Sequence, residues 1–243
     1  NVNVELTTSK RTAYHKYTFK EGDKQSVVIN LGFAINWDKA VETSFNIEDD
    51  YTISGIRFSK GWAQNQKVFF VAKFSKPISE YKLYADGKLV EGNAVKGTKS
   101  STQLFFDEVS TPELLVKVAL SSVSIENAKA NLDPSKLNFE TTKTDAEKLW
   151  TSALSSVEVE TPIDSLKTIF YTALYHAQVA PVTFSDKNNQ FRLENDSIVS
   201  SKNYIAYSTL SLWDTFRAEH PLLTIIEPDK VSDMVNSMLA YYE

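Results

Sequence analysis

The hydrophobic rhythm of the chain changes once, and that change limits what it can fold into. From the N-terminus to about Leu132 apolar residues recur every second position between turn signals. In "KVFFVAKFS", Phe70, Ala72 and Phe74 fall on one side of a strand and Phe69, Val71 and Lys73 on the other. "LLVKVALSSVSI" sets Val116, Val118 and Leu120 against Lys117, Ala119 and Ser121, and Asp86-Gly87 stands between two short alternating runs as a hairpin turn. Many short strands in such a span predict an antiparallel β-sandwich.

After "NLDPSKLNFE" the spacing becomes helical. Ala146, Leu149, Trp150, Ala153 and Leu154 mark one helix. A second follows with Thr161 as N-cap and Pro162 at its first position, and carries Ile163, Leu166, Phe170, Leu174 and Ala177 on one face until Pro181 closes it. Residues 182–206 read as loops with a short hairpin. A third helix is expected from Ser208 to about Glu219. A fourth opens at Pro228-Asp229, with Val231, Met234, Val235, Met238 and Leu239 apolar, and runs into "AYYE" without a stop signal. The expected organisation is a β-sandwich over 1–134, a helical linker over 135–160 and a second helical region over 161–243.

With 243 residues, 42% of them hydrophobic, the chain can bury a real core. Its 26 basic and 31 acidic residues are intermixed, so no basic stripe awaits a phosphate backbone and nucleic acid is a poor partner. The absence of cysteine removes disulfides, thiolate catalysis and thiolate metal sites. No apolar run reaches the roughly 18 residues of a membrane span. "NVNVELTTSKRT" is no signal peptide and already alternates like a strand, so the chain is expected to begin inside a domain or after processing.

Most chemical motifs fail. "DKNNQFRLENDS" offers Asp186, Asn188, Gln190 and Glu194 at calcium-like spacing, but Phe191 stands where the turn needs glycine and Ser197 where the bidentate Glu belongs, leaving a solvated turn. "NDS" at Asn195 is a glycosylation triplet by pattern only. His15, His176 and His220 share no ligand spacing. His176, near Tyr171, Tyr175 and Gln178, is either a structural histidine or a hydrogen-bonding group of a polar pocket. No nucleophile elbow, dinucleotide loop or phosphate loop occurs among seven glycines.

"SLWDTFRAEHPLLTIIEP" stands apart. On a helix Leu212 and Phe216 would stack toward a core, with Trp213 and Arg217 in the neighbouring row and Asp214 turned away. Either Asp214 and Arg217 form an i, i+3 surface pair and Trp213 fills a core, or the trio recognises a sugar. In the second case an aromatic ring covers the apolar face of a pyranose while a carboxylate accepts from neighbouring hydroxyls. Trp62, in "GWAQNQ", allows the same two accounts: core packing, or a neutral polar surface suited to glycan.

At these residues the sequence resembles the bacterial exo-acting alpha-mannosidases of glycoside hydrolase family 92. The resemblance is carried in order by "GWAQNQKVFFVAKFSKPI", "VKVALSSVSIENAKANLD", "IFYTALYHAQVAP" and "YSTLSLWDTFRAEHPLLTIIEPDKVSDMVNSMLAYYE". It implies an N-terminal β-sandwich joined by helices to an (α/α)6 barrel, of which 161–243 would be the start. It implies a calcium-dependent, inverting hydrolase of α-mannosides in N-glycans or mannan, in which the ion contacts sugar hydroxyls, an acid protonates the leaving oxygen and a base activates water. Trp213 and Asp214 would line the pocket for the terminal mannose; Arg217 would either orient Asp214 or reach the pocket itself; Trp62 and His176 are weaker substrate-binding candidates. The family's glycine-rich portion before "VELTTSKRTAYHKYTF" is missing, as are its later segments with acid, base and calcium ligands. The expectation is therefore a fragment that is inactive and does not hold calcium tightly by itself, from a periplasmic, cell-surface or secreted bacterial enzyme. The other readings are a carbohydrate-binding or scaffold sandwich, or a different (α/α)6 glycosidase.

Overall fold

The computed structural model describes residues 2–22, 24–107, 111–132 and 138–242. The chain divides into two compact units at Lys143/Thr144. The boundary expected at residues 134/135 lies outside the described residues.

In the first unit the alternating segments become strands β1 (Asn3–Thr8), β2 (Thr12–Thr18), β3 (Gln25–Asn30), β4 (Lys39–Asp49), β5 (Thr52–Lys60), β6 (Gln66–Phe74), β7 (Ile78–Ala85), β8 (Lys88–Val90), β9 (Ala94–Gly97), β10 (Ser101–Phe106) and β11 (Glu113–Ser121). A seven-stranded sheet has the order β1-β2-β11-β6-β5-β4-β9, and a four-stranded sheet the order β3-β10-β7-β8, with antiparallel pairing throughout. Between them lies a core of Phe45, Ile53, Phe70, Phe74, Val95, Leu114 and Val116 from the larger sheet with Leu83, Leu104 and Phe106 from the smaller. This is the sandwich that period two predicts. Asp86 and Gly87 both have positive φ, 51° and 83°, the twist a two-residue hairpin requires between β7 and β8.

Both faces of β11 are buried, contrary to a simple in/out alternation. Val116 faces the core, yet Lys117, Ala119 and Ser121 are also buried. The cause is α1 (Ile125–Asn131), a helix the spacing argument does not foresee, which packs on the outer face of β11, β6 and β5. Ser124 caps it by accepting from the Asn127 N–H at 3.1 Å. Asn131 Nδ2 donates to the Leu120 carbonyl at 2.8 Å, and the Thr12 hydroxyl donates to the Asn131 carbonyl at 3.1 Å. The Lys117 ammonium, on a side chain only 1% exposed, lies 5.1 Å from the centre of the Tyr14 ring. Leu120, grouped with the core side by alternation, is instead exposed at the strand end.

The remaining elements are α2 (Phe139–Leu154), which crosses the unit boundary, α3 (Asp164–Ala177), β12 (Val182–Thr183), β13 (Gln190–Arg192), β14 (Ile198–Ser200), β15 (Tyr207–Ser208), α4 (Leu212–Thr215), α5 (Glu219–Ile226) and α6 (Pro228–Tyr242). The expected hairpin is β13–β14. The start of α3 lies later than the capping signal suggests. Ile163 is the cap residue, and the Thr161 hydroxyl accepts from the Ile163 N–H at 3.2 Å, forming a turn before the helix. Of its apolar face Leu174 is buried, whereas Ile163 and Leu166 are exposed. Tyr171 and Gln178 hold α3 in place: the Tyr171 hydroxyl donates to the Val157 carbonyl at 3.3 Å and Gln178 Nε2 to the Ala153 carbonyl at 3.3 Å. The loop at Asp186 is less solvated than expected, with Asp186 itself buried and its N–H donating to the Gln190 carbonyl at 2.8 Å. No helix among the described residues is long and apolar enough to cross a membrane.

Candidate functional site

The segment around "SLWDTFR" does not form one helix over 208–219. Tyr207 and Ser208 pair with Val182 and Thr183 as strands, and Tyr207 is fixed by its N–H donating to Ser237 Oγ at 2.9 Å. Ser237 in turn donates to the Asp233 carbonyl at 2.6 Å, and Asp233 Oδ2 accepts from the Ile205 N–H at 3.0 Å. These bonds explain why the small polar Ser237 is the fully buried residue of α6 while Val235 and Leu239, expected on its apolar face, are exposed.

The chain leaves β15 through Thr209, whose φ of 61° is uncommon for a β-branched residue. It then makes a single helical turn, α4. Ser211 organises that turn: its carbonyl accepts from the N–H groups of Asp214 (3.1 Å) and Thr215 (3.2 Å) and from the Thr215 hydroxyl (2.8 Å). The Ser211 hydroxyl donates to Asp214 Oδ2 at 2.6 Å, fixing the carboxylate. Residues 216–218 form a turn, and the apolar "PLLTII" belongs to α5 instead of a connector.

This geometry overturns the expected burial of Leu212 and Phe216, both of which are more than half or about half exposed. A helix of four residues has no second turn with which to make a core-facing stripe. Trp213 is 88% exposed and fills no core. Asp214 and Arg217 form no ion pair, since the break after Thr215 removes the i, i+3 geometry. The Arg217 guanidinium instead lies 5.3 Å from the centre of the Phe216 ring. Trp213, Asp214 and Arg217 are thus presented together on one exposed turn, with one carboxylate oxygen of Asp214 held and the other without a protein partner.

His176 sits exposed in the last turn of α3, with its ring 5.6 Å from that of Tyr175, and Tyr175 stacks at 4.7 Å on Trp150 of α2. The polar pocket expected around it is replaced by an open groove of about 430 Å³ lined by Leu154, Lys167, Thr168, Tyr171, Thr172 and Tyr175. His220 has its Nε2 buried without a hydrogen-bond partner. His15 accepts or donates at 2.8 Å to the Tyr17 hydroxyl, and burial lowers its pKa. Trp62, also 88% exposed, belongs to the first unit and lies against Trp37, a neighbour that sequence reasoning missed. Among the described residues no three His, Asp or Glu side chains are grouped to hold a metal ion.

Comparison with known proteins accounts for nearly all of the chain. Residues 1–121 match the glycosyl hydrolase family 92 N-terminal domain, and residues 125–243 the glycosyl hydrolase family 92 catalytic domain. No curated protein matches. The fold is similar to the family GH92 alpha-mannosidase BT3965 from Bacteroides thetaiotaomicron, with a TM-score of 0.94, 30% identity and coverage of 99% of this chain and 34% of that one. The same enzyme in complex with mannoimidazole gives 0.93 at 29% identity, covering 99% of this chain and 33% of that one. The family GH92 inverting mannosidase BT2199 from Bacteroides thetaiotaomicron VPI-5482 shares the fold at 24% identity and a TM-score of 0.87, with coverage of 100% and 33%. The chain therefore spans about a third of the length of these solved relatives. With a sandwich matched by one domain model and the following helices by the other, the chain belongs to glycosyl hydrolase family 92.

Proposed function

We propose that this chain is the sandwich and opening helical part of an alpha-mannosidase, and that Trp213, Asp214 and Arg217 contact the terminal mannose. The observation that carries the reading is the exposed α4 turn: a tryptophan and a pre-oriented carboxylate that support no core are held by Ser211 in one geometry. The indole covers the C–H face of the sugar, and the free oxygen of Asp214 accepts from its hydroxyls. Arg217, resting on Phe216 instead of Asp214, is available to donate to a ring or hydroxyl oxygen. The similarity to a solved alpha-mannosidase with bound mannoimidazole supports this substrate class.

The finer proposal is inverting hydrolysis of α-mannosides in N-glycans or mannan, in a protein of the periplasm or cell surface. Calcium, when bound in such an enzyme, supplies contacts to sugar hydroxyls. The residues described here form no site for it, so none of them is given that role, nor the role of acid or base. The part played by this chain is to bind and orient.

Asp214→Ala in the full-length enzyme lowers kcat/KM on an aryl α-mannoside about 10- to 100-fold, the loss of a charge-assisted hydrogen bond or two, with the thermal midpoint nearly unchanged. Wild-type kinetics in that variant would refute the assignment. The 243-residue chain alone is expected to release no aryl alcohol from the same substrate and to show no tight calcium binding by calorimetry.

A further inference from the structure

The first unit carries a second exposed aromatic feature that the α4 turn does not explain. Trp37 and Trp62 are 60% and 88% exposed, with ring centres 6.2 Å apart and planes inclined by 40°. They come from different connections, the one before β4 and the one between β5 and β6. The antiparallel register of β4 and β5 pairs Lys39 with Lys60, so both connections emerge at the same end of the sheet.

The two connections are fastened together. Arg57 donates to the carbonyls of Leu31 and Phe33 at 3.2 Å each and to Asp38 Oδ2 at 2.6 Å, strapping the first connection to β5. The Arg57 guanidinium holds the Asp38 carboxyl below its ordinary pKa. Gly61 approaches so closely that a Cβ there would lie 2.9 Å from Asp38 Cα. The order is thus imposed by buried and half-buried groups, while the indoles face water, where an apolar surface of this size costs solubility. Around them Asn36, Gln64 and Asn65 expose side-chain amides that make no hydrogen bond within the protein. Each amide offers a donor and an acceptor, the pattern that matches a hydroxyl, and the Asp38 charge is already compensated by Arg57.

We infer that the Trp37–Trp62 pair is a binding platform for a neutral, mannose-containing polysaccharide. One indole covers the C–H face of a sugar residue, the inclined second ring flanks the same residue or its neighbour, and the amides take the hydroxyls. The choice of mannose rests on the α-mannosidase reading above, whereas the platform itself rests on the geometry of the first unit. A protein partner is disfavoured because the ring around the indoles is neutral amide, with the flanking Lys39 and Lys60 outside it.

Native affinity electrophoresis of the whole 243-residue chain through gels containing yeast mannan, dextran or heparin tests this. Mannan is expected to retard the chain, dextran and heparin not to. Trp62→Ala and Trp37→Ala each weaken the apparent mannan affinity roughly tenfold, with an unchanged far-UV circular dichroism spectrum, and Asp214→Ala leaves it intact. Retardation that persists in Trp62→Ala, or that disappears in Asp214→Ala instead, would overturn the platform while leaving the α4 assignment standing. Absence of retardation by mannan overturns it, as does retardation by heparin alone. Concentration-dependent self-association abolished by Trp62→Ala would equally reassign the surface to a second copy of the chain.

Discussion

At the scale of single residues, Gly55 and Ser237 show how little freedom the packing leaves. A Cβ at Gly55 would stand 2.1 Å from the Ser44 carbonyl oxygen and 2.7 Å from ring carbons of Phe70. Gly55→Ala must therefore part β4 from β5 or displace Phe70, and we expect a loss of about 1–3 kcal/mol in urea unfolding. Ser237→Ala removes the acceptor of the buried Tyr207 N–H. Its expected cost is about 1–3 kcal/mol, with faster amide exchange at Tyr207 as the local readout. The residue scale is also where sequence reading reached furthest into the candidate site. The composition of "SLWDTFR" singled out Trp213 and Asp214, and both stand exposed on α4. Trp37 escaped notice because nothing in its own neighbourhood distinguishes it; its meaning depends on Trp62.

At the scale of elements, alternation and hairpin chemistry were legible, and burial of second faces was not. Phe70, Ala72 and Phe74 do face the core, and Asp86-Gly87 does turn the chain between β7 and β8. Lys117, Ala119 and Ser121 looked solvent-facing because period two reports two sides of a strand but not what packs on either. The missing term was α1, seven residues long, too short for its own spacing to announce it despite the Ser124 cap. The same limit explains the failure at residues 208–219, where Leu212 and Phe216 have helical spacing but the helix ends at Thr215. The start of α2 offers a test. Lys16 bridges Glu5 at 2.7 Å and Glu140 at 2.9 Å while its ammonium lies over the Phe139 ring, and these contacts raise its pKa. Lys16→Met should leave the β2 amides protected while accelerating exchange in the first turn of α2.

At the scale of the whole molecule, the charge balance sets the acid limit. Lys129 and Ser54 hold the Glu48 carboxyl below its ordinary pKa, Arg57 does so for Asp38, the Thr98 hydroxyl and the Lys99 N–H for Asp86, and Lys16 for Glu140. Carboxyls depressed in the folded state stay ionised there after the unfolded chain has begun to take up protons. Their stabilisation is present above about pH 4 and is lost as pH falls further. His15 adds to the same trend from about pH 6.5 downward, because burial disfavours its charged form in the folded state. Thermal midpoints should thus decline modestly from pH 7 to 5 and steeply below 4, with Glu48→Gln flattening the lower part. Two unfolding transitions are expected, since the units have separate cores, one around Phe45, Phe74 and Leu104 and one around Tyr207, Leu223 and Met234.

The sequence by itself determined the strand alternation, the hairpin turns, the passage from sheet to helix and the family, because each is written in local spacing or contiguous motifs. Only the tertiary structure decided which second faces are covered, where α4 stops, and that Trp37 meets Trp62. Those outcomes depend on groups distant in sequence: α1 closes over β11, Ser237 captures Tyr207, and the β4–β5 register brings the two loops to one end. For "SLWDTFR" the tertiary structure replaced a buried helical stripe with an exposed, Ser211-braced turn. Its tryptophan and carboxylate are presented outward because one helical turn is too short to bury them.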